Sequence, residues 1–185
     1  MIKLFRRTSM VILVLLQLAF IIAIFYDVLN KFSVLVFIGA IGFLALFSLV
    51  KMTHDSHEKP AKNYILILLV TLGALFTYLI NIKLNTGPVI AAALIGTLSS
   101  AIPYFLTDKK SILIKEIPPA VYCGTFVGMT SGNVGATYWF ITLAGIISGL
   151  LYILATNTFV GVGGKLGTVA FGGVAFIFVL SLIIR

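Results

Sequence analysis

The sequence predicts an all-α, polytopic membrane protein of about seven transmembrane helices, and three observations predict it. Of 185 residues, 61% are hydrophobic and 10% charged, where a soluble domain carries about a quarter charged residues. The apolar residues fall in runs long enough to span lipid. The basic residues fall between those runs, biased to one side. No polar stretch is long enough for a separate soluble domain, so residues 1–185 read as one integral membrane domain.

The first run, Val11 to Tyr26, follows the basic "MIKLFRRTSM". It resembles a signal peptide, but the run is long and no A-x-A-like site follows, so it reads as an uncleaved helix. A second run spans Ser33 to Val50 after "DVLNK". The polar "KMTHDSHEKPAKN" then leads to a third, Tyr64 to Ile82. "KLNTGP" turns the chain into a fourth, Val89 to Leu106, with Pro88 suited to a first helical turn. "TDKKSILIKEIPP" mixes charges with Ile112, Leu113 and Ile114 and reads as a surface segment. The fifth run starts near Pro118 or Pro119 and reaches "MTSGNVG" after about a dozen residues, roughly 18 Å at the helical rise. That falls short of a hydrocarbon core of about 30 Å. A sixth run covers Ala136 to Ala155 and a seventh Val169 to Ile184. If the fifth segment is re-entrant, six spans remain and the C-terminus lies inside.

Charge fixes the expected orientation. A cytoplasmic N-terminus puts Lys3, Arg6, Arg7, Lys51, Lys59, Lys62, Lys109, Lys110, Lys115 and Lys165 inside, against Lys31, Lys83 and Arg185 outside. This is the positive-inside pattern, and it accounts for the net charge of +8 without nucleic acid, since no basic stripe is interleaved with aromatics. Tyr26, Tyr78, Tyr138 and Trp139 fall at the outer interface, and Tyr64, Tyr104, Tyr122 and Tyr152 at the inner one. Cys123 is the single cysteine, so no intrachain disulfide forms.

The C-terminal part is richer in glycine. Twelve of the seventeen glycines lie between Gly124 and Gly173, with four-residue steps at Gly124–Gly128–Gly132, Gly145–Gly149 and Gly163–Gly167. Such steps let helix backbones approach closely, so the fifth, sixth and seventh helices are expected to pack tightly on one another. The Leu-, Ile- and Phe-rich first three read as lipid-facing scaffold. A second reading of the same glycines is broken helices that expose backbone to a ligand.

"GVGGKLGT" has a superficial likeness to a phosphate-binding loop, but Leu166 follows the lysine where Ser or Thr is required, and no strand precedes it. What remains is a lysine beside permissive backbone at a helix start, which favours an anion. Lys165 has two readings, a side chain snorkelling to the interface and a ligand-facing or paired cation. Glu116 reads as a carboxylate complementing a helix start, with a pairing to Lys165 as the complication. His54, Asp55, His57 and Glu58 read as a solvated loop, and Asp27 with Lys31 as a surface pair.

The polar residues inside the runs are mostly Ser and Thr, which satisfy helix backbone or line a solute path. No run holds a histidine, a mid-span carboxylate or a Ser–His pair. The sequence therefore predicts no enzyme, no metal and no cofactor. It predicts a small transporter or channel in the cell membrane, for a small solute or ion, an anion included. The expected ligand-binding residues are Lys165, Ser99, Ser100, Thr130, Asn133, Gly163 and Gly164. The expected assembly is a homo-oligomer or a complex with a partner membrane subunit. The alternative is a non-catalytic subunit or assembly factor that docks partner helices through the glycine face.

Overall fold

The computed structural model describes residues 64–105, 112–134, 137–155 and 164–184, with Val11, Leu15, Leu18, Ala19 and Ile22, all helical, before them. The second expected segment, the histidine loop, the Asp27–Lys31 pair and Gly163 lie outside the described residues. The rest is five helices: α1 (Ile65–Leu84), α2 (Pro88–Phe105), α3 (Ile112–Gly128), α4 (Tyr138–Ala155) and α5 (Lys165–Ile184). All except α3 are long and apolar enough to cross a membrane.

The turn between α1 and α2 follows its sequence chemistry. Asn85 ends α1 in the left-handed region at φ 50°, a conformation Asn tolerates. Gly87 follows at φ 85°, and Pro88 opens α2 with its fixed φ and absent N–H. Three residues suffice for this antiparallel hairpin.

α3 begins well before the proline pair, which corrects the expected short segment. Pro118 and Pro119 lie inside the helix, and Ile112, Leu113 and Ile114 form its first turn rather than a separate surface element. Neither proline has an N–H to donate, so the Ile114 and Lys115 carbonyls lose their intrahelical partners. Seventeen residues give about 25 Å of helix. The longer helix also moves Tyr122 to mid-height, where its ring lies against Gly96 of α2 and edge-on to Phe126 at 5.0 Å.

The packing order gives the directions. A Cβ on Gly124 would run into the Val70 carbonyl, and one on Gly128 would lie 2.5 Å from the Ala74 carbonyl. Residue numbers rise together, so α3 runs parallel to α1. On the other flank Gly145 meets Thr71 and Gly149 meets Ile67, so α4 runs antiparallel. Tyr138 at the start of α4 contacts Tyr78 edge-on, centroids 5.7 Å apart. α3 and α4 therefore run in opposite directions along α1, and α3 ends at the level of Ala74 and Thr77. α5 lies on α4, with Gly173 against the Ala144 carbonyl and Ser148.

The glycine steps do pack closely, but chiefly against α1 rather than among themselves. α1 was expected to face lipid, yet it is the central helix, with its main contacts to α3 and α4. Leu66, Val70, Thr71, Gly73, Ala74, Thr77 and Tyr78 are all buried. Its own Gly73 answers the α3 glycines, with the Val121 carbonyl 2.6 Å from where a Cβ would sit. Gly132 and Gly167, the outer members of their steps, have nothing beside them within 4 Å and take no part in a seam.

Hydroxyls are spent locally. Thr71, Thr97 and Thr142 donate to the carbonyl four residues back, at 2.7–2.8 Å. Thr125 and Ser181 reach three back. Ser148 is different, since its Oγ donates across the seam to the Ala170 carbonyl at 3.4 Å. Thr77 is different again: it is fully buried and its hydroxyl has no hydrogen-bond partner.

Candidate functional site

Three helices bring unlike charges together at one end of the bundle. Glu116 sits in the second turn of α3, just before the proline pair, and is half-buried. Tyr152, in the last turn of α4, is 4% exposed. Its hydroxyl donates to Glu116 Oε2 at 2.5 Å, within the range of a charge-assisted O–H···O⁻ bond. Lys165 is the first residue of α5 and half-buried. Glu116 and Cys123 are both near enough to act on it electrostatically. Fully buried Cys123 directs its thiol at the Leu166 carbonyl, 3.6 Å away, which ties α3 to the first turn of α5.

The local sequence explains how Lys165 gets there. Gly164 lies at φ 85°, a backbone state that suits glycine. Its carbonyl accepts the first helical bond, from the Thr168 N–H at 3.0 Å, and the Thr168 hydroxyl at 3.1 Å. The helix thus starts four residues earlier than the apolar run indicates. Lys165 becomes part of a packed helix end beside a carboxylate, rather than of a loop.

Among the described residues Glu116 is the only carboxylate, and the lysines are Lys83, Lys115 and Lys165. Lys83 lies at the far end, in the last turn of α1. Lys115 is exposed. The cluster therefore holds one carboxylate and one half-buried ammonium, with a phenol donating to the former. No three metal-ligating side chains gather among the described residues.

The residues marked from the sequence are spread over the bundle. Ser99 is buried on α2 and donates to the Gly96 carbonyl at 2.7 Å. Ser100 is exposed and donates to the Thr97 carbonyl at 2.7 Å. α2 packs on α3 and α1 and makes no contact with α4 or α5, so both serines are separated from Lys165 by α3. Thr130 caps the other end of α3, its hydroxyl 2.6 Å from the Val127 carbonyl. Asn133 is exposed, and its backbone N–H donates to Ser131 Oγ at 3.3 Å. Glu116 and Gly128 are twelve residues apart on one helix, about 18 Å. Gly164 and Lys165 are the members that sit together.

Sequence reasoning raised a Glu116–Lys165 pairing but missed Tyr152 as the partner of Glu116. Glu116 reads as a helix-start carboxylate because two prolines follow it, and Tyr152 reads as an interfacial aromatic. One signal was present: beyond residue 111, Glu116 is the only acid, and Lys115, Lys165 and Arg185 are the only bases. Comparison with family models, curated proteins and solved structures finds no match to this chain.

Proposed function

We propose that the chain is an integral protein of the cell membrane, with a cytoplasmic N-terminus and seven spans, that moves a small solute or ion as a transporter or channel. It works without an enzymatic step or a cofactor, as a homo-oligomer or beside a partner membrane subunit. The Glu116–Tyr152–Lys165 cluster carries this reading. Ionisable groups within a spanning bundle are rare and mark ion and substrate paths. Close backbone seams at Gly124, Gly128, Gly145 and Gly149 already hold α3 and α4 against α1, so the bundle does not depend on these charges alone. The cluster is then read as functional, with Lys165 and Gly164 on the ligand side.

The alternative, a non-catalytic subunit docking partner helices through the glycine face, has less support. Gly124, Gly128, Gly145, Gly149 and Gly173 are covered by helices of the same chain, so docking would have to use another surface. Purified protein in liposomes, screened for flux of ions and small anions, tests the proposal. Flux that falls in Lys165→Gln and Glu116→Gln supports it. No flux of any solute, together with a stable co-purifying membrane subunit, favours the alternative.

A further inference from the structure

We propose that the start of α3, residues 112–117, is a hinged strap: it swings at the Pro118–Pro119 pair and is latched against α4 by the hydrogen bond from Tyr152 to Glu116. The inference stands apart from the transport reading. In a transporter the strap would serve as the gate at this end of the bundle.

The hinge follows from backbone bonding. In an unbroken helix the N–H groups of residues 118 to 121 would all bond back across this point. Pro118 and Pro119, inside α3, have no N–H to give, so Ala120 and Val121 alone are left to carry the helix across. Each proline ring also crowds the carbonyl four residues before it, and prolines are where sharp bends of helices occur.

The two sides of this point are held differently. Beyond it, seven of the nine residues from Ala120 to Gly128 are buried, and Gly124 and Gly128 lie against α1 backbone. Before it, no residue from Leu113 to Pro119 is buried, and Lys115 is exposed. Leu113 packs on the edge of the core, and Glu116 accepts the Tyr152 bond with Lys165 of α5 close by. Tyr152 is a fixed post for the latch, because it is 4% exposed and α4 is seated on α1 through Gly145 and Gly149. A segment with few buried contacts beside a well-packed one opens locally, without global unfolding.

Cys123 lies beneath the latch. It follows Glu116 by seven residues on the same face of α3. Its thiol is fully buried and directed at the Leu166 carbonyl. It is near enough to Tyr152 and Lys165 to act on both electrostatically. A strap that swings away from α4 uncovers this thiol while α1, α4 and the rest of α3 stay packed.

The test is the rate at which Cys123 of the detergent-purified full chain reacts with excess N-ethylmaleimide, at fixed pH and well below the unfolding temperature, read by mass. Tyr152→Phe removes the latch and keeps the ring; it should react about ten- to a hundredfold faster than wild type, the shift expected from loss of a hydrogen bond to a charged group. Gly128→Ala loosens the α1 seam beyond the hinge and should react at the wild-type rate, because local opening does not follow global stability. Pro118→Ala with Pro119→Ala, added to Tyr152→Phe, supplies the missing backbone bonds and should bring the rate back towards wild type. Equal acceleration in Tyr152→Phe and Gly128→Ala would mean that the thiol is reached by global unfolding, and overturns the proposal. A Tyr152→Phe rate equal to wild type overturns it, as does one that the added alanines leave unchanged. If Tyr152→Phe does not fold, Glu116→Ala, which removes the acceptor, must give the same acceleration. If neither folds, the bond holds the whole bundle rather than a strap, and the proposal is lost. None of these rates depends on flux, so the strap and the transport reading stand or fall separately.

Discussion

Gly128→Ala places one methyl group in the seam between α3 and α1. Its carbon would lie 2.5 Å from the Ala74 carbonyl oxygen and 2.7 Å from Thr77 Cβ, where ordinary contact begins at 3.4 Å. The first obstacle is backbone, so no rotamer change removes it, and the helices must part by about 0.9 Å. A gap of about 0.5–1 Å forfeits roughly a quarter to a half of the dispersion attraction between the surfaces it separates. Overpacking of this kind costs about 1–3 kcal/mol, offset by about 1 kcal/mol of helix propensity gained over glycine. The expected net loss is about 1–2 kcal/mol. Gly167→Ala is the control: it makes the same chemical change inside a helix, with nothing within 4 Å. It should be neutral or stabilising by up to about 1 kcal/mol. Unfolding in mixed micelles, followed by Trp139 fluorescence and circular dichroism, measures both. Equal stability of the two variants would refute a seam built on backbone contact.

Three further outcomes follow from the same geometry. Cysteines replacing Leu84 and Tyr104, both exposed at opposite ends of α1 and α2, should react with an impermeant maleimide from opposite sides of the membrane, while native Cys123 stays unreactive until unfolding. Tyr152→Phe should destabilise by about 1.5–3 kcal/mol, the range for a hydrogen bond to a charged group, and by less in a Glu116→Gln background; an equal cost in both would show that the hydroxyl does not act on the carboxylate. Thr77→Val should be neutral or stabilising because its buried hydroxyl has no partner, whereas Thr125→Val, which loses a 2.8 Å bond to the Tyr122 carbonyl, should cost about 1 kcal/mol.

Where the sequence told most was in the existence of helices. Each described helix coincides with an apolar run, because a lipid-spanning segment announces itself by composition. Boundaries failed where local chemistry has two meanings. A proline pair marks a first turn in most helices, yet in α3 it follows two turns already formed. Glycine marks a break, yet Gly164 serves as the step into α5. Packing partners were less legible still. Four-residue spacing reveals that a face of α3 or α4 is small, but not which helix covers it. The small set in "TLGALFT", Thr71, Gly73, Ala74 and Thr77, was the sign that α1 lies at the centre. For the site, Lys165 was visible as a charge out of place. A pairing with Glu116 could be raised from the scarcity of charge, but the bond from Tyr152 to Glu116 could not, because those residues lie thirty-six positions apart on separate helices.

The self-directed hydroxyls of Thr71, Thr97, Thr125 and Thr142 bear on how such a chain is made. A helix whose polar side chains are satisfied by its own carbonyls leaves the insertion machinery with nothing to seek from its neighbours. It can enter lipid alone, in the order of synthesis, and wait there. α1 must wait longest, since its closest partner is α3 and not the adjacent α2. The Glu116–Tyr152 bond forms only once α4 is in place, and Lys165 arrives after that with α5. The polar end of the bundle is thus completed in two late steps, and a chain halted before α5 would hold the Glu116–Tyr152 bond without Lys165 beside it.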